Sequence, residues 1–331
     1  MAASLKIFPV VDATASVRPR LSIVLPTFEP NGWFRQALGS VLRDAPADAE
    51  IGVIDDASIG VDVGQMVAES APPGRVAFSR NAKRLGLAGN WNRAIATARG
   101  ELVHLLHQDD FILPGFYQRM FRAFQREPEL GMAFCRTRIV DAADRVTKTT
   151  SRVRWWPGVI SNWVATVGQR QRVQTPSAIV ARSTYEAVGG YRDDLKAALD
   201  WEMWVRIAAR FPVWYEPATL AAYRRHDANA SSRLSASGEV WPDLARAIAI
   251  NAESFPPAER LAIVERSVRW YTNSALRTAT KRVRQGDYAA ASRILEHLPK
   301  LLDLLADDQL GTAIQRRAVV IRQQLRCSRT A

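Results

Sequence analysis

In the stretch LVHLLHQDDFILP, residues 102–114, two adjacent carboxylates, Asp109 and Asp110, close an apolar run built for burial. Two carboxylates at one point can hold a hard divalent cation, with the remaining ligands supplied by water and the oxygens of a substrate diphosphate. They can also cap the turn into FILPGF, and the pair alone does not choose. A second pair, Asp55 and Asp56, ends the run EIGVID, with Ser58 near enough in sequence to share a turn. Arg80, Asn81, Lys83 and Arg84 precede LGLAGN. Cationic groups beside a Gly-containing turn suit a nucleotide diphosphate, and they suit a solvated loop nearly as well. Trp155, Trp156 and Trp163 crowd into RWWPGVISNW, where indole faces can stack on sugar rings or pack a core.

These residues need a scaffold, and the first half of the chain supplies it. LSIVLP (21–26), EIGVID (50–55), RVAFSR (75–80) and ELVHLLH (101–107) alternate with helical patterns in WFRQALGSVL, VGQMVAES, NWNRAIATA and GFYQRMFRAFQ. Short runs, apolar on both faces and separated by helices, predict an α/β unit that is Rossmann-like, its sheet mostly parallel and flanked by helices. Such sheets bind ligands outside the carboxyl ends of their strands, where both acidic pairs fall. The run before Asp109 is therefore a buried strand with its polar tip in the cleft. Further on, MAFCRTRIV, SAIVAR and TLAAYRRH predict strands, STYEAVGGY a short helix, and DWEMWVRIAARF a helix opened by an Asp cap.

From residue 239 the pattern is helical only: VWPDLARAIAINAE, ERLAIVERSVRWYTNSALRTATKRV, YAAASRILEHLPKLLDLL and GTAIQRRAVVIRQQL. The small polar residues of SSRLSASG (231–238) suggest a linker. The expected division is a tail over 1–19, an α/β domain over 20–235 with halves at 20–131 and 132–235, and a helical domain over 239–331.

A chain of 331 residues with 47% hydrophobic and 24% charged residues has the composition of a soluble globular protein. No apolar run approaches the roughly 18–20 residues of a membrane span, and MAASLKIFPVVDATASVRPR lacks the apolar core of a secretory signal. Two distant cysteines, Cys135 and Cys327, form no metal-ligand spacing and fit a reducing cytoplasm. The 45 Lys and Arg against 33 Asp and Glu give +12, and residues 241–331 carry 15 basic and 9 acidic residues, or +6 of it. Polyanions are the partners such a balance favours.

Taken in order, LSIVLPTFEP, VIDDAS, RLGLAGNWNRAI, HQDD, TPSAIVARSTYEAVGGY, ALDWEMWVRIA and YRRHDANAS resemble the segments of family 2 glycosyltransferases of the GT-A fold, over about residues 20–231. The resemblance implies a nucleotide-sugar donor, with uridine or thymidine favoured, and a glycan or lipid-linked glycan acceptor. It sets Pro26, Thr27 and Glu29 along the nucleotide pocket and Asp56 on the imide N–H of a uracil or thymine base. Asn81 and Arg84 fall near the diphosphate. Asp109 lies near the ribose and the metal, and Asp110 on Mg2+ or Mn2+ directly. His226 approaches the metal or the diphosphate when its loop closes, and Arg224 pairs with phosphates. Asp200 takes the position of the catalytic base. An alcohol is too weak an acid to ionise beforehand, so a carboxylate must accept its proton as it attacks the anomeric carbon, and one direct displacement inverts that carbon. Glu202 is implied as a second acid near the acceptor, and Trp156 as part of an acceptor platform. His107 stands where the family commonly has the first Asp of its metal motif. That exchange makes the site less negative and turns preference towards Mn2+, although a structural place for His107 under the cleft is equally open.

Two other classes compete. A nucleotidyltransferase would carry a Gly-rich phosphate loop after the first strand, which PTFEPNGWF lacks. A non-catalytic basic protein gripping nucleic acid would need a dense basic run or a recognisable motif, and the tail has neither, so no nucleic acid partner is expected. The basic C-terminal helices predict peripheral contact with an anionic membrane, on its cytoplasmic face.

Overall fold

All seven residues of the first strand, β1 (Leu21–Thr27), are buried, as a central strand covered on both faces must be. The computed structural model describes residues 18–226 and 229–305, with 318, 319, 321 and 323. The expected tail before residue 18, nearly all of the helix expected in GTAIQRRAVVIRQQL, Asp227 of YRRHDANAS and Cys327 lie outside the described residues. After β1 come α1 (Trp33–Asp44), β2 (Glu50–Asp55), α2 (Val63–Ser70), β3 (Ala77–Arg80), α3 (Gly86–Thr97), β4 (Leu102–Leu105), β5 (Phe111–Ile112) and α4 (Phe116–Arg126). There follow β6 (Met132–Val140), β7 (Val146–Thr149), β8 (Gly158–Val159), α5 (Trp163–Val167), β9 (Ala178–Ala181), α6 (Arg182–Val188), α7 (Leu199–Ala208) and β10 (Val213–Arg224). The chain continues with α8 (Ala230–Ser237), α9 (Val240–Ala252), α10 (Arg260–Arg284) and α11 (Tyr288–Leu302).

The described residues form two compact units. The first takes residues up to 161, 172–193 and 210–225. Its sheet runs β3-β2-β1-β4-β9-β6-β10-β5, with β7 on β6 and β8 on β10. The block β3-β2-β1-β4 is all parallel, β9 enters antiparallel, and β6 and β10 pair in parallel beyond it. The mostly parallel sheet flanked by helices is thus the expected one. Its core joins Leu21, Ile23, Leu25, Ile51 and Val53 of the strands to Phe34, Leu38 and Val41 of α1 and Phe116 and Met120 of α4.

The second unit gathers 162–171, 194–209 and the residues from 226 on, all its elements being helices. α7 is secured by Trp201, whose indole N–H donates to the Val167 carbonyl at 2.7 Å. Two local features differ from the sequence reading. SSRLSASG is the helix α8, closed by Gly238 at a φ of 84°, rather than a linker. α7 opens at Ala198, so Asp200 lies inside its first turn and is not its cap. The α9 carboxylate of Asp243 holds the segment leading into α7, accepting from the N–H groups of Lys196, Ala197 and Ala198 at 2.8–2.9 Å.

Candidate functional site

β1, β2 and β4 are parallel neighbours, so their carboxyl ends open on one side of the first unit. At the end of β2 the two acids separate in role. Asp55 accepts from the Ser58 hydroxyl at 2.5 Å and from Arg80 Nη1 at 3.1 Å, and so fixes the turn. Asp56 reaches the next loop instead. Its Oδ1 accepts from Asn81 Nδ2 at 2.9 Å and the Leu85 N–H at 2.7 Å, and its Oδ2 from the Gly86 N–H at 2.9 Å. Those two amides open α3, where the helix presents positive charge to an anion. Asn81 also donates to Asn90 at 3.0 Å, and the Asn90 amide spans the carbonyls of Thr27 and Ile54 at 3.3 and 3.2 Å. Thr27, Asp56 and Asn81 therefore belong to one network. Asn90 is the member that sequence reasoning missed, signalled only by its place in RLGLAGNWNRAI.

Pro26 is buried at the end of β1. Glu29 follows with a φ of 44°, and its Oε1 accepts from Ile59 at 2.7 Å and Gly60 at 3.1 Å. Those backbone bonds hold its carboxyl below the ordinary range, and they make it a brace of the pocket wall. The Arg84 guanidinium lies 3.9 Å over the Phe28 ring.

The motif HQDD leaves the end of β4. Gln108 grips both backbone groups of Phe28, the N–H at 2.7 Å and the carbonyl at 3.1 Å, and so ties this loop to the exit of β1. Asp110 is 1% exposed, with Oδ1 accepting from the Arg224 N–H at 2.9 Å and Oδ2 lying 3.3 Å from His107 Nδ1. Among the described residues no well-directed donor reaches that Oδ2. Burial, with Asp109 beside it, pushes the carboxyl up to about 6. The His107 ring stacks on Trp91, centroids 4.5 Å apart, which sets its plane.

His107, Asp109 and Asp110 each offer a ligand atom within 4.8 Å of the others. Ligands of one Mg2+ or Mn2+ at about 2.1 Å stand up to roughly 4.2 Å apart, so small side-chain rotations close this set around an ion. The residues fit a divalent cation. His226, expected near the metal or the diphosphate, belongs to the second unit, where its N–H donates to Asn229 Oδ1 at 2.7 Å, and His107 offers the third ligand atom of the acidic cluster.

Two further residues sit otherwise than expected. Arg224 does not extend a cation towards phosphate. It is 0% exposed, and its guanidinium donates to the carbonyls of Asp109 at 3.0 Å and Asp141 at 3.1 Å and pairs with Asp144 at 2.7 Å. It is a strut beneath the metal motif. Glu202 is buried and closed by a two-pronged pair with Arg206 at 2.8 and 2.7 Å, so it offers no open acid to an acceptor. Trp156, expected on an acceptor platform, is exposed on a loop tied to β10 at Tyr215, opposite Phe134 of β6. Arg224 lies opposite Val140, six β6 residues on, which puts the loop about 20 Å along the sheet from the strut. Asp200, on α7 in the second unit, is half-buried, and its Oδ1 accepts from the Trp201 N–H at 2.7 Å.

The site is thus a hydrogen-bonded network of Thr27, Asp56, Asn81 and Asn90 beside the His107, Asp109 and Asp110 group, at the strand ends of an α/β sheet. Residues 22–183 match the family model described as Glycosyl transferase family 2, which places that stretch of the chain in the family. A Mycobacterium tuberculosis (strain CDC 1551 / Oshkosh) relative, "Uncharacterized protein MT1568", is 29% identical over 66% of this chain and 72% of its own length. S. aureus TarS 1–349, solved with UDP-GlcNAc, shares the fold at a TM-score of 0.66 and 14% identity, over 94% of this chain and 92% of that one. The mannosyltransferase PcManGT from Pyrobaculum calidifontis, solved with GDP-Man and Mn2+, has a TM-score of 0.55 at 16% identity, over 94% and 88% of the two chains. The GT-A fold is common to all three.

Proposed function

We propose that this glycosyltransferase moves a sugar from a uridine- or thymidine-diphosphate donor to a hydroxyl of a glycan or lipid-linked glycan, with inversion. The observation that carries the reading is the His107, Asp109 and Asp110 group at the end of a buried strand. A divalent cation, Mg2+ or Mn2+, would supply there the positive charge that a departing nucleoside diphosphate needs. The remaining work falls to side chains. Asp56 keeps a lone pair on Oδ2, which takes one backbone bond, for the imide N–H of the base. Asn81 and Arg84 border the same loop and face the diphosphate. Asp200 accepts the proton of the attacking hydroxyl, and with one base and no covalent intermediate the anomeric centre inverts. The UDP-GlcNAc and GDP-Man bound to the two neighbours support a nucleotide-sugar donor, and the Mn2+ of one supports the cation.

A thermal-shift panel of nucleoside diphosphates and nucleotide sugars, with and without Mn2+ or Mg2+, tests this on the wild type, Asp110→Ala and Asp200→Asn. A uridine or thymidine diphosphate sugar should raise the wild-type melting temperature only when a divalent cation is present. Asp110→Ala should lose that increment. Asp200→Asn should keep it while turnover falls by about 10²–10⁴. No stabilisation by any nucleotide sugar with either ion would overturn the reading.

A further inference from the structure

The loop between β7 and β8 combines a fixed backbone with side chains left in solvent. Its start is held by Thr150, whose N–H donates to the Thr137 carbonyl at 2.9 Å and whose carbonyl accepts from Arg136 Nε at 3.0 Å. Its middle is held where the Val153 N–H donates to the Tyr215 hydroxyl at 3.2 Å. Its end is held by the pairing of Gly158 and Val159 with β10 and by Arg154 Nη1 on the Val159 carbonyl at 3.0 Å. From this anchored loop Trp155 and Trp156 project 72% and 64% exposed. Two adjacent indoles in water oppose the hydrophobic effect, and a large exposed apolar surface marks an interaction site.

The chemistry around them selects the partner. The Arg152 guanidinium stacks 4.3 Å over the Trp155 ring. Arg136 and Arg152 both act on the buried Tyr215 hydroxyl, so their charges gather at one place. Lys148, Arg152 and Arg154 lie in the loop and the strand before it, whereas Arg145 and Arg182 farther along the sequence are paired with Asp141 and Glu186. Indole faces take the apolar faces of sugar rings, and guanidinium forks take carboxylate or phosphate. The β8 end of the loop stands about 20 Å along the sheet from the strut under the metal motif, as β6 pairing measures it. A ligand joining the two must be a chain of several sugars.

Resting on the glycosyltransferase reading, we infer that Arg152, Trp155 and Trp156 form a distal binding site for an extended anionic glycan, the growing or receiving end of which is the acceptor. Phosphate and carboxylate groups share this chemistry, and a test must separate them.

Isothermal titration of the full chain, without donor or metal, should compare a uronate-containing oligosaccharide, a polyol-phosphate oligomer and a neutral cello-oligosaccharide of matched length. At least one anionic chain should bind tenfold or more tighter than the neutral one, and its affinity should fall as salt rises. Arg152→Gln and Trp155→Ala, with wild-type melting curves, should each weaken that binding about fivefold to tenfold. Which anionic chain wins names the charged group. Equal binding of the neutral chain, wild-type affinity in both variants, or a disaccharide binding as tightly as the long chain would overturn the inference. So would anionic vesicles or a single-stranded oligonucleotide binding more tightly than the glycans and losing affinity in the same variants. Because no nucleotide is present, failure here leaves the donor thermal shifts untouched, and failure of those shifts leaves this titration readable.

Discussion

Arg224 is a buried cation that contacts no open space, and its energetics explain why it is there. An uncompensated guanidinium in the interior is costly, and this one is compensated by the carbonyls of Asp109 and Asp141, the Gln36 amide oxygen at 2.5 Å and the carboxylate of Asp144. Only a planar fork with five donors can serve acceptors spread in this way, so lysine is no substitute. The arrangement fixes the backbone that carries Asp109 and Asp110. Removing it should therefore loosen the metal group without removing any of its ligands, because the bond from residue 224 to Asp110 is made by a backbone N–H. Arg224→Gln should cost about 3 kcal/mol of stability and weaken Mn2+ affinity by about 10–100-fold. Urea unfolding and Mn2+ titration measure the two. Wild-type Mn2+ affinity in the variant would show that the strut serves the fold alone.

At the scale of the element, β4 carries a second buried polar group with a different task. His104 is buried, its Nε2 at 3.1 Å from the Pro176 carbonyl and its Nδ1 at 2.9 Å from the Tyr117 hydroxyl. A carbonyl can only accept, so Nε2 bears the proton, Nδ1 accepts from Tyr117, and the neutral ring ties β4 to α4. Burial drives its pKa down to about 4 from the ordinary 6.5. Above pH 6.5 the ring is neutral folded or unfolded and the full stability is present. As pH falls from 6.5 to 4, only the unfolded chain gains the proton, so on the order of 3 kcal/mol should be lost over that window. His104→Gln removes the titration, and its stability difference from wild type should narrow by that amount between pH 7 and pH 4; a difference constant with pH would show the folded ring to be charged. Nothing in LVHLLH marks this histidine apart from His107, since the partners lie on distant elements. The same limit governed other elements. β2 and β6 coincide with EIGVID and MAFCRTRIV because strand periodicity is local. β10 begins well before TLAAYRRH because Pro217 breaks the apolar pattern, and the structure absorbs it through register shifts between Glu216 and Ala221. α7 opens at Ala198, where Asp243 of another helix holds the amides leading in, so Asp200, inside the first turn, is not its cap. Acid pairs and strand ends were legible; which acid braces and which binds was decided by partners far along the chain.

Over the whole molecule the charge of +12 is unevenly placed, half of it in the last 91 residues. No described helix is long and apolar enough to cross a membrane. α10 has the composition for attachment at a surface. Its sequence RLAIVERSVRWYTNSALRTATKRVR sets basic residues among exposed Leu261 and Trp270, at 72% and 43% exposure, and the Trp270 ring lies 3.7 Å from the Arg170 guanidinium. Basic side chains near an anionic bilayer contribute about 1 kcal/mol each, and an indole favours the interface, so the two effects add along one helix. Flotation with vesicles containing anionic lipid should recover more protein than with neutral vesicles, and raising salt from about 0.1 M to 1 M, which shortens the screening length from roughly 10 to 3 Å, should abolish the difference. Trp270→Ala should lower recovery on anionic vesicles while Arg152→Gln leaves it unchanged, since the glycan patch and the helix are separate surfaces of separate units. Equal recovery on both vesicle types would remove the electrostatic part of the attachment.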